Sequence, residues 1–171
     1  FKPHNAVRGE ETAIIQYFLS DEADSVKAEI YDSKGNLVGS IVGDSVAQKP
    51  TEIHPWYRTR TTGSPTTAKG LNRWEWNLRY PGATMFEGII IWSGRPQNGP
   101  KAPPGTYEAR ITVNGVTKSK KCKVKMDPRL KAVSERDLKE QFQLASKIRD
   151  KTSSANEAVI QIRDIRGQIN D

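Results

Sequence analysis

Apolar and polar residues alternate through the first three quarters of the chain, and then the period changes. Val26, Ala28 and Ile30 alternate with Lys27, Glu29 and Tyr31. Trp74, Trp76 and Leu78 alternate with Arg73, Glu75, Asn77 and Arg79, and Tyr107, Ala109, Ile111 and Val113 with Glu108, Arg110 and Thr112. A period of two marks strands with one buried face. Thr12–Leu19 and Leu37–Val42 read as further strands, and Gly88–Trp92 as a short, wholly apolar central one. Val116–Met126 returns from Asn114-Gly115, a two-residue hairpin signal. Asp32-Ser33-Lys34-Gly35-Asn36 is a turn in which Gly35 is free to take a positive φ. About seven strands with turn signals between them predict an antiparallel β-sandwich of immunoglobulin type.

From Ser134 to Ile169 apolar residues recur at three and four, and no Gly or Pro interrupts before Gly167. Asp127-Pro128-Arg129 ends the sheet region, and Ser134 followed three residues on by Asp137 resembles a capping box. Leu138, Phe142, Ala145 and Ile148 form one stripe, and Val159, Ile162, Ile165 and Ile169 a second. Thr152-Ser153-Ser154 weakens helix propensity through branching and local hydrogen bonding. Two alternatives therefore stand: one long amphipathic helix or a helical hairpin. The expected organisation is a mainly β body over 1–130, with a long polar loop at 43–70, and a helical tail over 131–171. Narrow stripes of this kind suit helix–helix packing. Leu138, Phe142, Ile148, Val159, Ile162 and Ile169 are the candidate interaction surface of the tail, for docking on another protein surface or for self-association.

Composition narrows the function. Of 171 residues 35% are hydrophobic, and the net charge is +7, from 27 Lys+Arg against 20 Asp+Glu. Mean hydropathy is −0.69, low for a compact enzyme. Much of the basic excess lies in Lys118, Lys120, Lys121, Lys123, Lys125, Arg129 and Lys131. Cys122, Val124 and Met126 alternate with Lys121, Lys123 and Lys125, which describes a strand with an apolar inner face and a lysine outer face of the kind that protects sheet edges. No zinc-finger spacing or recognition-helix pattern accompanies it, so nucleic acid is not expected as a partner. The single cysteine, Cys122, excludes an intrachain disulfide and reads as a small core residue. No segment approaches the length of a membrane-spanning run, so membrane insertion is not expected. The chain begins at Phe1-Lys2-Pro3 without a signal peptide or an initiator Met, which suggests a fragment or processed form of a longer protein.

Candidate chemistry is sparse. His4 and His54 belong to no metal-binding pattern, and no nucleophile elbow, phosphate loop or dinucleotide fingerprint occurs. A glycosidase needs two convergent carboxylates. Glu52, Glu75 and Glu87 are the available candidates, and nothing in their spacing brings two of them together. No catalytic residue, metal or cofactor is expected. The best ligand-binding candidate is the aromatic–cationic run Trp56, Tyr57, Arg58 and Arg60 in the long loop, whose rings would stack on a polysaccharide and whose guanidinium groups would bind hydroxyls or carboxylates. The competing reading folds Trp56 or Tyr57 back over the open end of the sandwich.

Three segments carry a family resemblance: Val26–Leu37, Gly70–Gly82 (GLNRWEWNLRYPG) and Pro104–Met126, followed by Asp127-Pro128-Arg129. Over about residues 10–130 they resemble the region that follows the β-propeller in bacterial sortilin-like, BNR (Asp-box) glycosyl-hydrolase-type proteins. The run Ala155–Asp164 is similar to that family's continuation. The first and third segments are also similar to the immunoglobulin-like domain of flagellar hook-capping proteins. The middle segment is the specific one. The resemblance implies a non-catalytic accessory module at the C-terminal end of a secreted, extracellular or periplasmic protein, positioning or stabilising a propeller. It implies no site residues. The chain departs from the family in lacking the propeller and its S-x-D-x-G-x-x-W box.

Overall fold

The computed structural model describes residues 1–9, 12–44 and 63–170. They form eight strands, β1 (Lys2–Pro3), β2 (Ala6–Val7), β3 (Ala13–Leu19), β4 (Ser25–Tyr31), β5 (Leu37–Asp44), β6 (Gly70–Trp76), β7 (Gly105–Val113) and β8 (Val116–Lys125), and one helix, α1 (Glu135–Asn170). The fold is mainly β with a C-terminal helix. Two sheets result, a three-stranded one in the order β1-β3-β6 and a five-stranded one in the order β2-β8-β7-β4-β5. All pairings are antiparallel except that of β2 with β8.

Both sheets feed one buried cluster. Ala13, Ile15, Tyr17, Leu19, Trp74 and Trp76 come from the smaller sheet, and Val26, Ala28, Ile30, Tyr107, Ala109, Ile111, Cys122 and Val124 from the larger. The alternating residues therefore point inward as the period of two requires. Trp76 of one sheet meets Tyr107 of the other at 5.1 Å between ring centroids and 54° between planes. This tilted geometry suits the ring quadrupoles. Burial pushes the Cys122 thiol up to about 11, so it is a protonated core side chain at neutral pH. On β8, Val116, Lys118 and Lys120 share the phase of Cys122 yet are exposed, so the core stops short of this end of the strand.

The turns follow their residues. Asn114 and Gly115 both take positive φ, 46° and 84°, as the twisted β7–β8 hairpin demands. The Asn114 side-chain oxygen accepts from the Asp24 and Ser25 amides and so ties this turn to the start of β4. In the β4–β5 turn, Asp32 accepts from the Lys34 and Asn36 amides, both at 2.9 Å.

Gly88–Trp92 is not a strand. Gly88 sits in a turn at φ 74°, Ile90 is 74% exposed and Trp92 is 94% exposed. A short apolar run does not by itself distinguish strand from loop, and this one has no strand alongside to pair with. It belongs to an excursion between two stretches that do pair. After β6 the chain turns at Leu78, buried with φ 55°. Residues 78–83 then run beside 96–102 through Ala102 N–H to Leu78 O at 2.7 Å, Tyr80 N–H to Pro100 O at 2.9 Å and Ala83 N–H to Pro96 O at 2.8 Å. Gly82 and Gly99 permit the approach: a Cβ on Gly82 would run into the Gln97 carbonyl, and one on Gly99 into those of Tyr80 and Pro81.

The tail is one helix, not a hairpin. Thr152-Ser153-Ser154 stays helical, with the Thr152 and Ser154 hydroxyls donating to the carbonyls of Ile148 and Asp150 one turn back, at 2.9 and 3.0 Å. The N-terminal cap forms as its residues predict. Asp137 accepts from the Ser134 amide at 2.8 Å, and Ser134 Oγ accepts from the Asp137 amide at 3.2 Å. Just before it, Arg129 forks onto Asp127, with Nε to Oδ1 at 2.8 Å and Nη2 to Oδ2 at 2.6 Å. These bonds hold the Asp127 carboxyl down at about 2.

Ile30 is fully buried between β5 and β7, whereas Phe18, opposite Leu71 on the outer face of the smaller sheet, is 68% exposed. Ile30→Ala should therefore cost about 2–5 kcal/mol in denaturant unfolding, and Phe18→Ala less than about 0.5 kcal/mol. Equal effects would contradict this assignment of the core.

Candidate functional site

The helix and the chain beneath it make up the candidate site. Residues 84–87 and their flanks have no regular secondary structure, so their backbone groups need partners from elsewhere. The helix supplies them. Thr84 is held three times: its N–H donates to Ser153 Oγ at 3.0 Å, its carbonyl accepts from Asn156 Nδ2 at 2.6 Å, and its hydroxyl donates to Glu157 Oε1 at 3.0 Å. Arg149 donates to the Pro81 carbonyl at 3.3 Å, and Arg163 to that of Glu87 at 2.8 Å, with its guanidinium 4.6 Å from the Phe86 ring centroid.

Nearer the helix start the contact turns apolar. Leu138 is buried, and the Phe142 ring lies 4.6 Å from that of Tyr80. Tyr80 in turn reaches Asp32 at 3.4 Å. Burial first, and the Asp32 charge second, push the Tyr80 phenol up to about 12, so it stays a neutral donor. Arg8 closes this end, donating to the Ala102 carbonyl at 3.2 Å and to Gln141 Oε1 at 2.7 Å. The residues facing the body are thus 138, 142, 149, 153, 156 and 163, a helical stripe that is largely polar.

The expected tail surface divides between two faces. Leu138 is buried and Phe142 and Val159 are partly so, whereas Ile148, Ile162 and Ile169 are 60%, 65% and 77% exposed. The body-facing stripe was legible only as polar residues at three-to-four spacing, Arg149, Ser153, Asn156 and Arg163, a signal that an apolar pattern conceals. Trp56, Tyr57, Arg58 and Arg60, the candidate ligand loop, lie outside the described residues, as do His54 and Glu52.

Elsewhere the chemistry is limited. Glu75 pairs with Arg73 at 2.6 Å on the outer face of the smaller sheet. Among the described residues no three His, Cys, Asp or Glu side chains gather as a metal site would require, and no helix is long and apolar enough to cross a membrane. A groove of about 340 Å³ lies at one end of the sheets, where Phe18, Ile111 and Val116 meet Asp21, Glu22 and Lys118. Comparison with protein families, curated proteins and solved structures returned no match to this chain.

Replacing both Ser153 and Asn156 by Ala leaves the Thr84 amide and carbonyl without these partners. The expected loss is about 1–3 kcal/mol in thermal or denaturant unfolding, with helicity retained by circular dichroism. A double variant as stable as the parent would mean that these bonds do not hold the helix.

Proposed function

We propose that this chain is a non-catalytic interaction module of a larger secreted protein of the sortilin-like, Asp-box propeller type, and that its helix is the element through which it meets the propeller or another protein surface. The observation that carries the reading is the double-sided helix. One face of α1 is occupied by the body, and the other leaves Leu144, Ile148, Ile162, Ile165 and Ile169 each more than half exposed. A run of large apolar side chains in water marks an interaction surface. The resemblance supports the same reading, because Gly70–Gly82, its most specific segment, is β6 together with the start of the ladder that carries the helix. The module would act by presenting a rigid helix at a fixed angle, since its docking bonds run from Gln141 to Arg163.

The parent assignment makes a direct prediction. The coding sequence upstream of the Phe1 codon should encode repeated S-x-D-x-G-x-x-W boxes of a propeller. An upstream reading frame without them would remove the propeller from the account.

A further inference from the structure

The exposed face of α1 has a stricter order than its composition suggests. With Ile148 placed at a, the a positions are Ile148, Ala155, Ile162 and Ile169, seven apart, and the d positions are Leu144, Lys151, Ala158 and Ile165, also seven apart. All eight are exposed, the large ones at 61% (Leu144), 60% (Ile148), 65% (Ile162), 56% (Ile165) and 77% (Ile169). Between Phe142 and Arg163 the body-facing residues Phe142, Arg149, Ser153, Asn156 and Arg163 occupy b and f and Glu157 occupies c, while Leu138 and Gln141 touch the body before the seam begins at Leu144, so docking to the body leaves the seam open. Seven of the eight positions are apolar, Lys151 being the exception, and an apolar repeat of seven residues is the geometry of a left-handed coiled coil, in which a and d side chains enter holes on a facing helix. The seam runs for about 38 Å at 1.5 Å per residue.

The flanks say what the facing helix must carry. The charged residues in or beside the seam are Lys147 at g, Lys151 at d and Arg166 at e. None of the three has an ion-pair partner among the described residues. The carboxylates over the same length, Asp150, Glu157 and Asp164, all fall at c, away from the seam. A second copy of this chain repeats the same cations. Paired in parallel, it would set Lys151 against its own image, and paired antiparallel it would bring basic flanks together with no carboxylate to answer them.

We infer that the free seam of α1 binds an acidic amphipathic helix of a different protein segment, with apolar residues at its a and d positions and Glu or Asp beside them. This rests on the interaction-module reading and names the chemistry of its partner. The small Ala155 and Ala158 in mid-seam admit large side chains from that partner.

The test uses the full chain and two synthetic helices of about four heptads, both with Ile and Leu at a and d. One carries Glu at e and g, the other Lys. In fluorescence anisotropy the Glu peptide should bind at least about tenfold more tightly than the Lys peptide, and more weakly as salt rises. Ile148→Ser with Ile162→Ser should abolish binding without lowering the melting temperature, because both side chains are exposed. Lys147→Glu, Lys151→Glu and Arg166→Glu together should reverse the preference. Equal affinity for both peptides, or binding to neither, overturns the inference. So does a dimer in light scattering that Ile162→Ser dissociates, since the occupant is then a second copy. Sedimentation with phosphatidylserine vesicles in the absence of peptide binding also overturns it, in favour of a lipid surface. The propeller parentage is decided separately by the upstream coding sequence.

Discussion

Backbone groups in irregular chain must find partners, and in this protein that requirement decides where the helix goes. Past Ala83 the chain leaves its ladder with 96–102, and the Thr84 amide and the Pro81, Thr84 and Glu87 carbonyls need partners that the ladder does not supply. The side chains of Arg149, Ser153, Asn156 and Arg163 take them up instead, with Thr84 engaged through its amide, its carbonyl and its hydroxyl. The Phe142–Tyr80 ring contact and the Arg8–Gln141 bond fix the other end. The helix is therefore attached mainly by directional polar bonds, which fix its rotation about its own axis as apolar packing alone would not.

That rotation has a consequence for function. Because polar residues face the body, the large aliphatic residues of the helix are turned outward. A helix held by its apolar stripe would have buried Ile148 and Ile162 and shown Ser153 and Asn156 to water. Here the reverse holds, and a seven-residue repeat with basic flanks is left open from Leu144 to Ile169. Lys121, Lys123 and Lys125 on β8 serve a different end. They lie on the outer side of a strand paired along one side by β7 and only briefly by β2, where charge discourages another strand from adding.

Much of the fold was legible in the sequence because the alternation was strong where burial was one-sided. β6 follows its pattern closely and β4 and β7 do so but for a buried Glu29 and a partly buried Val113, and Asn114-Gly115 and the Ser134–Asp137 cap form as their chemistry dictates. Gly88–Trp92 was not legible: its apolar run carries no period, and only the tertiary structure reveals that no strand lies beside it. The short β1 and β2 are two residues each, too brief for a pattern, and gain their place from pairing with β3 and β8. The tail pattern foretold a helix but not its orientation. Leu138 and Phe142 belong to the buried face while Ile148, Ile162 and Ile169 belong to the free one, so the first apolar stripe, Leu138 to Ile148, mixes residues of both faces. Thr152-Ser153-Ser154 looked like a break, yet Thr152 and Ser154 bond carbonyls of their own helix and Ser153 accepts from the Thr84 amide, a tertiary role that helix propensity does not encode.

Amide hydrogen exchange along the intact chain tests the central claim most directly. If α1 is a single helix clamped to the body, amides from Phe142 through Arg163, together with that of Thr84, exchange slowly and open cooperatively with the β core. If amides 150–163 and Thr84 instead exchange like a solvated, independent helix, with faster exchange at Thr152–Ser154, the clamp does not exist and the outward orientation of the seam has no cause.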